Sequence, residues 1–228
     1  MNHTAIPAAD AATVRAPPSS LASSIGDLAH ELANPLNAIA ITTELAKRML
    51  ARGQQSEVAA ALQTVGADCA RCARLLRDAQ DYFSMEVTEA LDELELKSLL
   101  EESAQCLESR GDIHWREPDY AGRLRGDRRA LGQMFGELLR NAFDHGAHCV
   151  QLDAQLSDDE VRVRITDDGP GIDPAVLPRI FEPFFSTDRL QHSGTGLALA
   201  RAIAQAHGGD ISVEIIGPGT AFLVSLPV

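Results

Sequence analysis

The chain has 228 residues, 45% of them hydrophobic and 23% charged, a balance that excludes a disordered or fibrous protein and fits one medium domain plus a smaller helical element. Its net charge of −13 argues against nucleic acid as a main partner, because phosphate backbones are gripped by clustered Lys and Arg. No apolar run approaches the ~18–20 residues of a bilayer span, and Met1 to Ala12 lack the basic-then-apolar order of a secretory signal, so no membrane span and a cytoplasmic location are expected.

Residues 1–18 are rich in Ala, Pro, Thr and Ser without apolar periodicity, which predicts a flexible tail, with Ser19-Ser20 as a helix N-cap pair. From there Leu21, Ile25, Leu28, Leu32 and Ile39 fall at helical spacing, interrupted by Pro35. Because the stripe resumes after Pro35, a kinked helix is predicted there rather than a helix end. Gly53 suits a left-handed C-terminal cap and Ser56 the next N-cap, so two helices meet at this turn. The second helix carries Val58, Leu62, Val65, Cys69, Cys72, Leu76, Ala79 and Phe83 in steps of four and three, a heptad seam. One hairpin cannot bury such a seam, so a homodimer with a four-helix bundle is expected. Cys69 and Cys72 have metal-ligand spacing but lie on the seam, where buried thiols act as small apolar residues.

The pattern weakens over Met85 to Glu95, expected as helix end plus linker. A new domain begins near Leu94, with strands at Ile113 to Arg116, Arg123 to Arg125, Cys149 to Leu156 and Glu160 to Thr166, a helix at Arg128 to Phe143 before the latter pair, and then helix Thr195 to Ala206 with strands Asp210 to Ile216 and Ala221 to Leu226. The expected fold class is α+β: a helical hairpin (19–87) forming a dimeric four-helix bundle, then an α/β sandwich with helices on one face of a mixed sheet (88–228).

Five strings carry chemistry. His30, two residues from Leu28, lies about 200° around the helix from it and so faces solvent, while Leu28 and Leu32 face the seam. An exposed imidazole is a nitrogen nucleophile near neutral pH, and Glu31 beside it is placed to take the ring proton. Glu137 and Asn141 share a helix face, and an amide oxygen there suits Mg²⁺. Asp167-Asp168-Gly169-Pro170-Gly171 follows a strand, and Ser193-Gly194-Thr195-Gly196 precedes a helix, where backbone N–H groups and the helix dipole attract phosphate. Between them runs Phe181 to Phe185 and a polar segment to His192, the composition of an anchored lid. Taken singly, each string also fits a surface histidine, a helix-end asparagine, an ordinary turn or a hydrophobic plug.

Together and in this order they resemble the boxes of the sensor histidine kinase family: the H box at His30, the N box at Asn141, glycine boxes at 167–171 and 194–196, the F box at 181–185, and a closing glycine turn at 217–222. The resemblance implies a phosphoacceptor hairpin followed by a Bergerat-type ATP-binding domain, with ATP and Mg²⁺ as cofactors and a response-regulator receiver domain as partner. On it, His30 is the phosphoacceptor, Glu31 the acid/base partner and Asn34 the residue that positions water for phosphatase activity on the regulator. Asn141, with Glu137, is the Mg²⁺ ligand, and Asp167 the adenine contact. Gly169, Gly171, Gly194, Thr195 and Gly196 shape the phosphate and lid region. The chain departs from the family where Asp144 and Asp188 replace lysines, Ala198 replaces a glycine and Glu137 replaces an asparagine. Arg140 and Arg189 are then the expected phosphate contacts, and Glu137 admits some ATP hydrolysis. Two further readings stand beside this one: a phosphotransfer adaptor with a silent ATP domain, separated by its failure to bind Mg-ATP, and a hydrolytic ATPase, separated by phosphate release without phosphohistidine.

Overall fold

The computed structural model describes residues 21–88, 91–107, 109–116, 123–157, 159–188 and 192–228. The expected tail, the Ser19-Ser20 cap and Arg189 lie outside them. Two long helices come first, α1 (Leu21–Ala51) and α2 (Gln55–Phe83). α1 runs through Pro35 as one helix. It ends in a turn where Gly53 takes φ +76°, the left-handed conformation that glycine adopts without steric cost. Ser56 is not the cap that the sequence predicts: α2 starts two residues earlier, at Gln55 after the N-cap Gln54, and the Ser56 hydroxyl donates to Glu57 Oε2 at 2.7 Å.

The heptad seam of α2 divides in two. Val58, Val65 and Cys72 are half-buried and Ala79 is buried, whereas Leu62, Cys69, Leu76 and Phe83 are exposed. A single period-3.5 stripe therefore serves two surfaces, one turned to α1 and one left open on the hairpin.

The second unit follows as β1 (Asp92–Glu95), α3 (Leu96–Gln105), β2 (Asp112–Trp115), β3 (Arg123–Gly126), α4 (Arg128–Asp144), β4 (Cys149–Leu156), β5 (Glu160–Asp167), α5 (Gly196–Ala206), β6 (Asp210–Ile216) and β7 (Gly219–Pro227). Five strands form a mixed sheet in the order β2-β4-β5-β7-β6, while β1 and β3 pair separately. β2 and β4 run parallel and the other neighbours antiparallel. Alternation on β5 puts Val161, Val163 and Ile165 inside, opposite Leu226, Val224 and Phe222 of β7, with Arg162 exposed. Onto this face pack α4, through Leu131, Met134, Phe135, Leu138 and Leu139, and α5, through Leu199, Ala200, Ile203 and Ala204. α4 begins at Asp127, whose side chain accepts from the N–H groups of Arg129 (2.9 Å) and Ala130 (3.1 Å), satisfying two of the orphan donors of the first turn.

The end of the stretch expected as helix end plus linker, Asp92–Glu95, is a strand, and a helix that the sequence reading did not predict follows it. β1 and α3 occupy the chain from Asp92 to Gln105, with Leu94, Leu96, Leu99 and Leu100 each 1% exposed.

Candidate functional site

A cavity of about 650 Å³ opens beside the sheet where the ends of α4 and β5, the segment before α5 and the β6–β7 turn converge. Sequence-distant residues meet there. Glu137, Arg140 and Asn141 line it from α4, Gly171 from the turn after β5, and Gly194, Thr195 and Gly196 from the start of α5. Gly169 sits behind this lining, buried, and donates its N–H to Asp167.

Asp167 ends β5 and is fixed by two backbone donors on one oxygen. Its Oδ1 accepts from Gly169 N at 2.9 Å and Thr220 N at 3.3 Å, so Oδ2 is left over for a further partner. Burial pushes the carboxyl above its ordinary 3.8, with those two N–H groups pulling the other way. Gly219 makes this seat possible: a Cβ there would lie 2.0 Å from the Asp167 backbone oxygen.

Glu137 is held between Arg140, at 3.1 Å, and the glycine pair, where a Cβ on Gly196 would meet its Oε2 at 2.6 Å. Burial raises its pKa, Arg140 opposes that, and Asp78 and Asp144 add to the rise. Arg140, offered by the sequence as a phosphate contact, is thus at the pocket but engaged with Glu137. Asp144, where the family's lysine is expected, pairs with Arg110 and lies 3.6 Å from His192 Nδ1. His192 in turn sits 5.2 Å from His145, ring to ring. Burial lowers the pKa of His145, and His192 adds to the effect. The F box supplies the anchor that the sequence predicts: Phe184 is 3% exposed, with φ +64°, and its ring meets Tyr82 and Phe83 at the end of α2.

The pocket also has a wall that sequence reasoning missed. Arg74, Asp78 and Asp81 of α2 line it. Their spacing of four and three was visible as a polar helix face, but nothing local distinguishes such a face from one that is merely solvated. Thr220, 3% exposed and lining the same cavity, was also passed over, although its glycine turn was noticed.

His30 is exposed on α1, as the helical angle predicts, and Asn34 is exposed one turn further on the same face. Neither lines the cavity. Glu31 turns the other way. It is 6% exposed and faces Arg71 of α2, with 3.5 Å between Oε2 and Nη2. That contact sets the register of the hairpin: Arg74, the first α2 residue of the cavity wall, lies three residues beyond Arg71, about 4.5 Å along the axis. The cavity therefore opens against the hairpin close to the level of His30.

Known proteins share this arrangement. The model of the His Kinase A (phospho-acceptor) domain matches residues 21–88, and that of the histidine kinase-, DNA gyrase B- and HSP90-like ATPase matches residues 126–228. The chain belongs to the sensor histidine kinases. Among family members, the signal transduction histidine-protein kinase AfsQ2 of Streptomyces coelicolor is 28% identical over 219 residues, covering 89% of this chain and 41% of that protein. The chain spans about two fifths of the length of the curated relatives it matches first. The catalytic domain of histidine kinase ThkA superposes with a TM-score of 0.54 at 26% identity, covering 60% of this chain and 97% of the other. ThkA in complex with response regulator protein TrrA matches the fold over 92% of this chain and 62% of that one, with a TM-score of 0.67 at 23% identity.

Among the described residues no group of three or more His, Cys, Asp and Glu is arranged to hold a metal ion alone. Mg²⁺ asks for less, because one or two protein oxygens suffice when nucleotide phosphates supply the rest. Glu137 and Asn141, one turn apart on α4, meet that requirement, and the cavity with its anchored carboxylate and glycine turns suits a nucleotide. Among the described residues no helix is long and apolar enough to cross a membrane.

Proposed function

We propose that the chain is the catalytic core of an ATP-dependent kinase that phosphorylates its own His30 and passes the group to an aspartate of a response-regulator receiver domain, acting as a homodimer in the cytoplasm. The observation that carries this reading is the convergence of Asp167, Asn141 and both glycine turns on one cavity whose open wall is the helix beside the exposed His30. Asp167 receives the adenine amino group on Oδ2. Gly194, Thr195 and Gly196 present backbone to the phosphates at the start of α5. Asn141 and Glu137 are the residues that would hold Mg²⁺, which would supply neutralisation of phosphate charge; catalysis is otherwise alignment.

In the transfer itself a His30 ring nitrogen forms a bond to the γ-phosphorus as the bond to the β–γ bridging oxygen breaks. ADP leaves with that electron pair, and the ring proton passes to Glu31, which must first swing its carboxylate out from Arg71 toward the ring. The phosphoryl group then moves to the receiver aspartate; ThkA, which shares this fold, is a histidine kinase found in complex with a response regulator protein. Asn34, exposed one turn from His30, positions water for the reverse, phosphatase reaction. The dimer is supported by the apolar side chains that the single hairpin leaves open, among them Ile41 at 70%, Leu50 at 62% and Leu62 at 59% exposure.

Glu137 supports one secondary activity. A desolvated carboxylate beside the glycine pair is a candidate base for water, so slow ATP hydrolysis accompanies kinase turnover. The test is incubation with γ-labelled Mg-ATP followed by a chase with receiver domains. Acid-labile label that appears on the chain, moves to a receiver and is missing from His30→Gln supports the reading. Equal labelling of that variant, or phosphate release with no labelled protein, overturns it.

A further inference from the structure

The cavity is short of positive charge where a nucleotide needs it. Among the described residues six carboxylates line it, against two arginines, Arg74 and Arg140. Arg140 is engaged by Glu137 at 3.1 Å, and at 144, where the family's lysine is expected, Asp144 pairs with Arg110. ATP brings further negative charge, of which a divalent cation cancels only part. The other arginine does not come from the ATP-binding unit at all: Arg74 belongs to α2 of the hairpin.

Position decides which part of a nucleotide Arg74 can reach. Arg74, Asp78 and Asp81 line the cavity at a spacing that keeps them on one face of α2. Arg74 is the nearest of the three to the level of His30. It lies about 4.5 Å along the axis from Arg71, the partner of Glu31, whereas Asp78 and Asp81 lie about 10 Å and 15 Å from it. The same face adjoins the Glu137 end of the cavity. Burial is the chief cause of the raised Glu137 pKa and Asp78 adds to it; at Asp167, where burial also comes first, the charges that act are Asp168 and His145 of the second unit. The phosphate end therefore looks onto α2 and the adenine end away from it, and a phosphoryl group bound for His30 leaves the cavity past Arg74. This side chain is exposed and has an interaction of its own in the structure. With five N–H donors, a guanidinium keeps such an interaction and still presents a fork to a phosphate.

We propose that Arg74 completes the ATP site from the hairpin, donating guanidinium N–H groups to the oxygens of the terminal phosphate, so that α2 supplies the contact that distinguishes ATP from ADP. This rests on the cavity being the nucleotide site. Arg74 forms no covalent bond and exchanges no proton. The γ-phosphorus still passes to the His30 nitrogen while ADP keeps the electron pair of the bridging oxygen.

The test is calorimetric titration of the full chain, with Mg²⁺ present, using ADP and the non-transferable β,γ-imido analogue of ATP. Arg74→Gln is expected to weaken binding of the analogue by roughly ten- to a hundredfold, the scale of a lost hydrogen bond to a charged group, and to leave ADP within about twofold of the parent. Arg74→Lys, which keeps the charge and loses the fork, falls between. Arg77→Gln removes an exposed charge from the same helix that does not line the cavity, and both affinities stay parental. Equal losses for the two nucleotides in Arg74→Gln, no loss for either, or the same loss in Arg77→Gln would overturn the proposal. Should Arg74→Gln fail to fold by circular dichroism, Arg74→Lys decides: a loss confined to the analogue supports the contact, and a parental ratio of the two affinities removes it. Failure of the underlying reading looks different, since the parent chain itself then binds neither nucleotide and the proposal falls with it.

Discussion

Replacing Asp167 by Asn separates the scaffold role of this side chain from its role toward nucleotide. The amide oxygen can occupy the place of Oδ1 and keep the bonds from Gly169 N and Thr220 N, so the turn after β5 stays in place. The amide NH₂ then stands where Oδ2 was, and a donor faces the donor of the adenine amino group. Loss of a hydrogen bond to a charged acceptor costs ~1.5–3 kcal/mol and an unpaired donor adds ~1 kcal/mol or more, together about 3 kcal/mol, or roughly a hundredfold in Kd. Folding stability responds in the opposite sense. Burial raises the folded-state pKa of Asp167 above 3.8, so the folded chain binds more protons than the unfolded one between those two values, and stability declines as pH rises through that window. At pH 7 the variant lacks this penalty and is expected to melt at or above the parental temperature. Calorimetric titration with ATP and thermal melts of both proteins check the two halves. A Kd within threefold of the parent, or a weakened Kd accompanied by a melting point several degrees lower, would refute the reasoning.

Three other outcomes are expected. Asp127→Ala removes the α4 cap and the bonds from Thr88, costing about 1–2 kcal/mol in denaturant unfolding; burial pushes the Asp127 pKa up, but its hydrogen bonds outweigh this and lower it, so the cost is present above pH 3.8 and fades as pH falls through the folded pKa. Gly194→Ala places a Cβ 2.4 Å from the Phe185 oxygen at φ +73°, so the segment before α5 must shift, and ATP affinity is expected to fall at least tenfold. Leu62→Glu with Leu76→Glu charges the open face of α2 and is expected to yield a monomer by light scattering, while a persistent dimer would place the interface elsewhere.

Periodicity made most of the architecture legible. The strands Cys149–Leu156 and Asp210–Ile216 begin and end where alternation begins and ends, because one face of each meets the helices and the other does not. β1 and α3 escaped because their acidic surface residues dilute a short apolar pattern that only tertiary burial of Leu94, Leu96, Leu99 and Leu100 explains. The nucleotide side of the site was readable from glycines and carboxylates at strand and helix ends, whose positions follow from local geometry. Its other wall was not. Arg74, Asp78 and Asp81 acquire meaning only when the second unit lies against α2, a long-range contact for which the sequence carries no period. Glu31 shows the same limit at closer range: the helix wheel separates it by 100° from His30, yet only the partner Arg71 on α2 shows that it faces inward.

The most direct measurement is tandem mass spectrometry of the intact chain after a short reaction with Mg-ATP, kept at neutral to alkaline pH so that phosphoramidate survives. The account predicts one added phosphoryl group, localised to the His30 ring and lost on brief acid treatment. A phosphoryl group on any other side chain, with His30 unmodified while ATP is consumed, would contradict it.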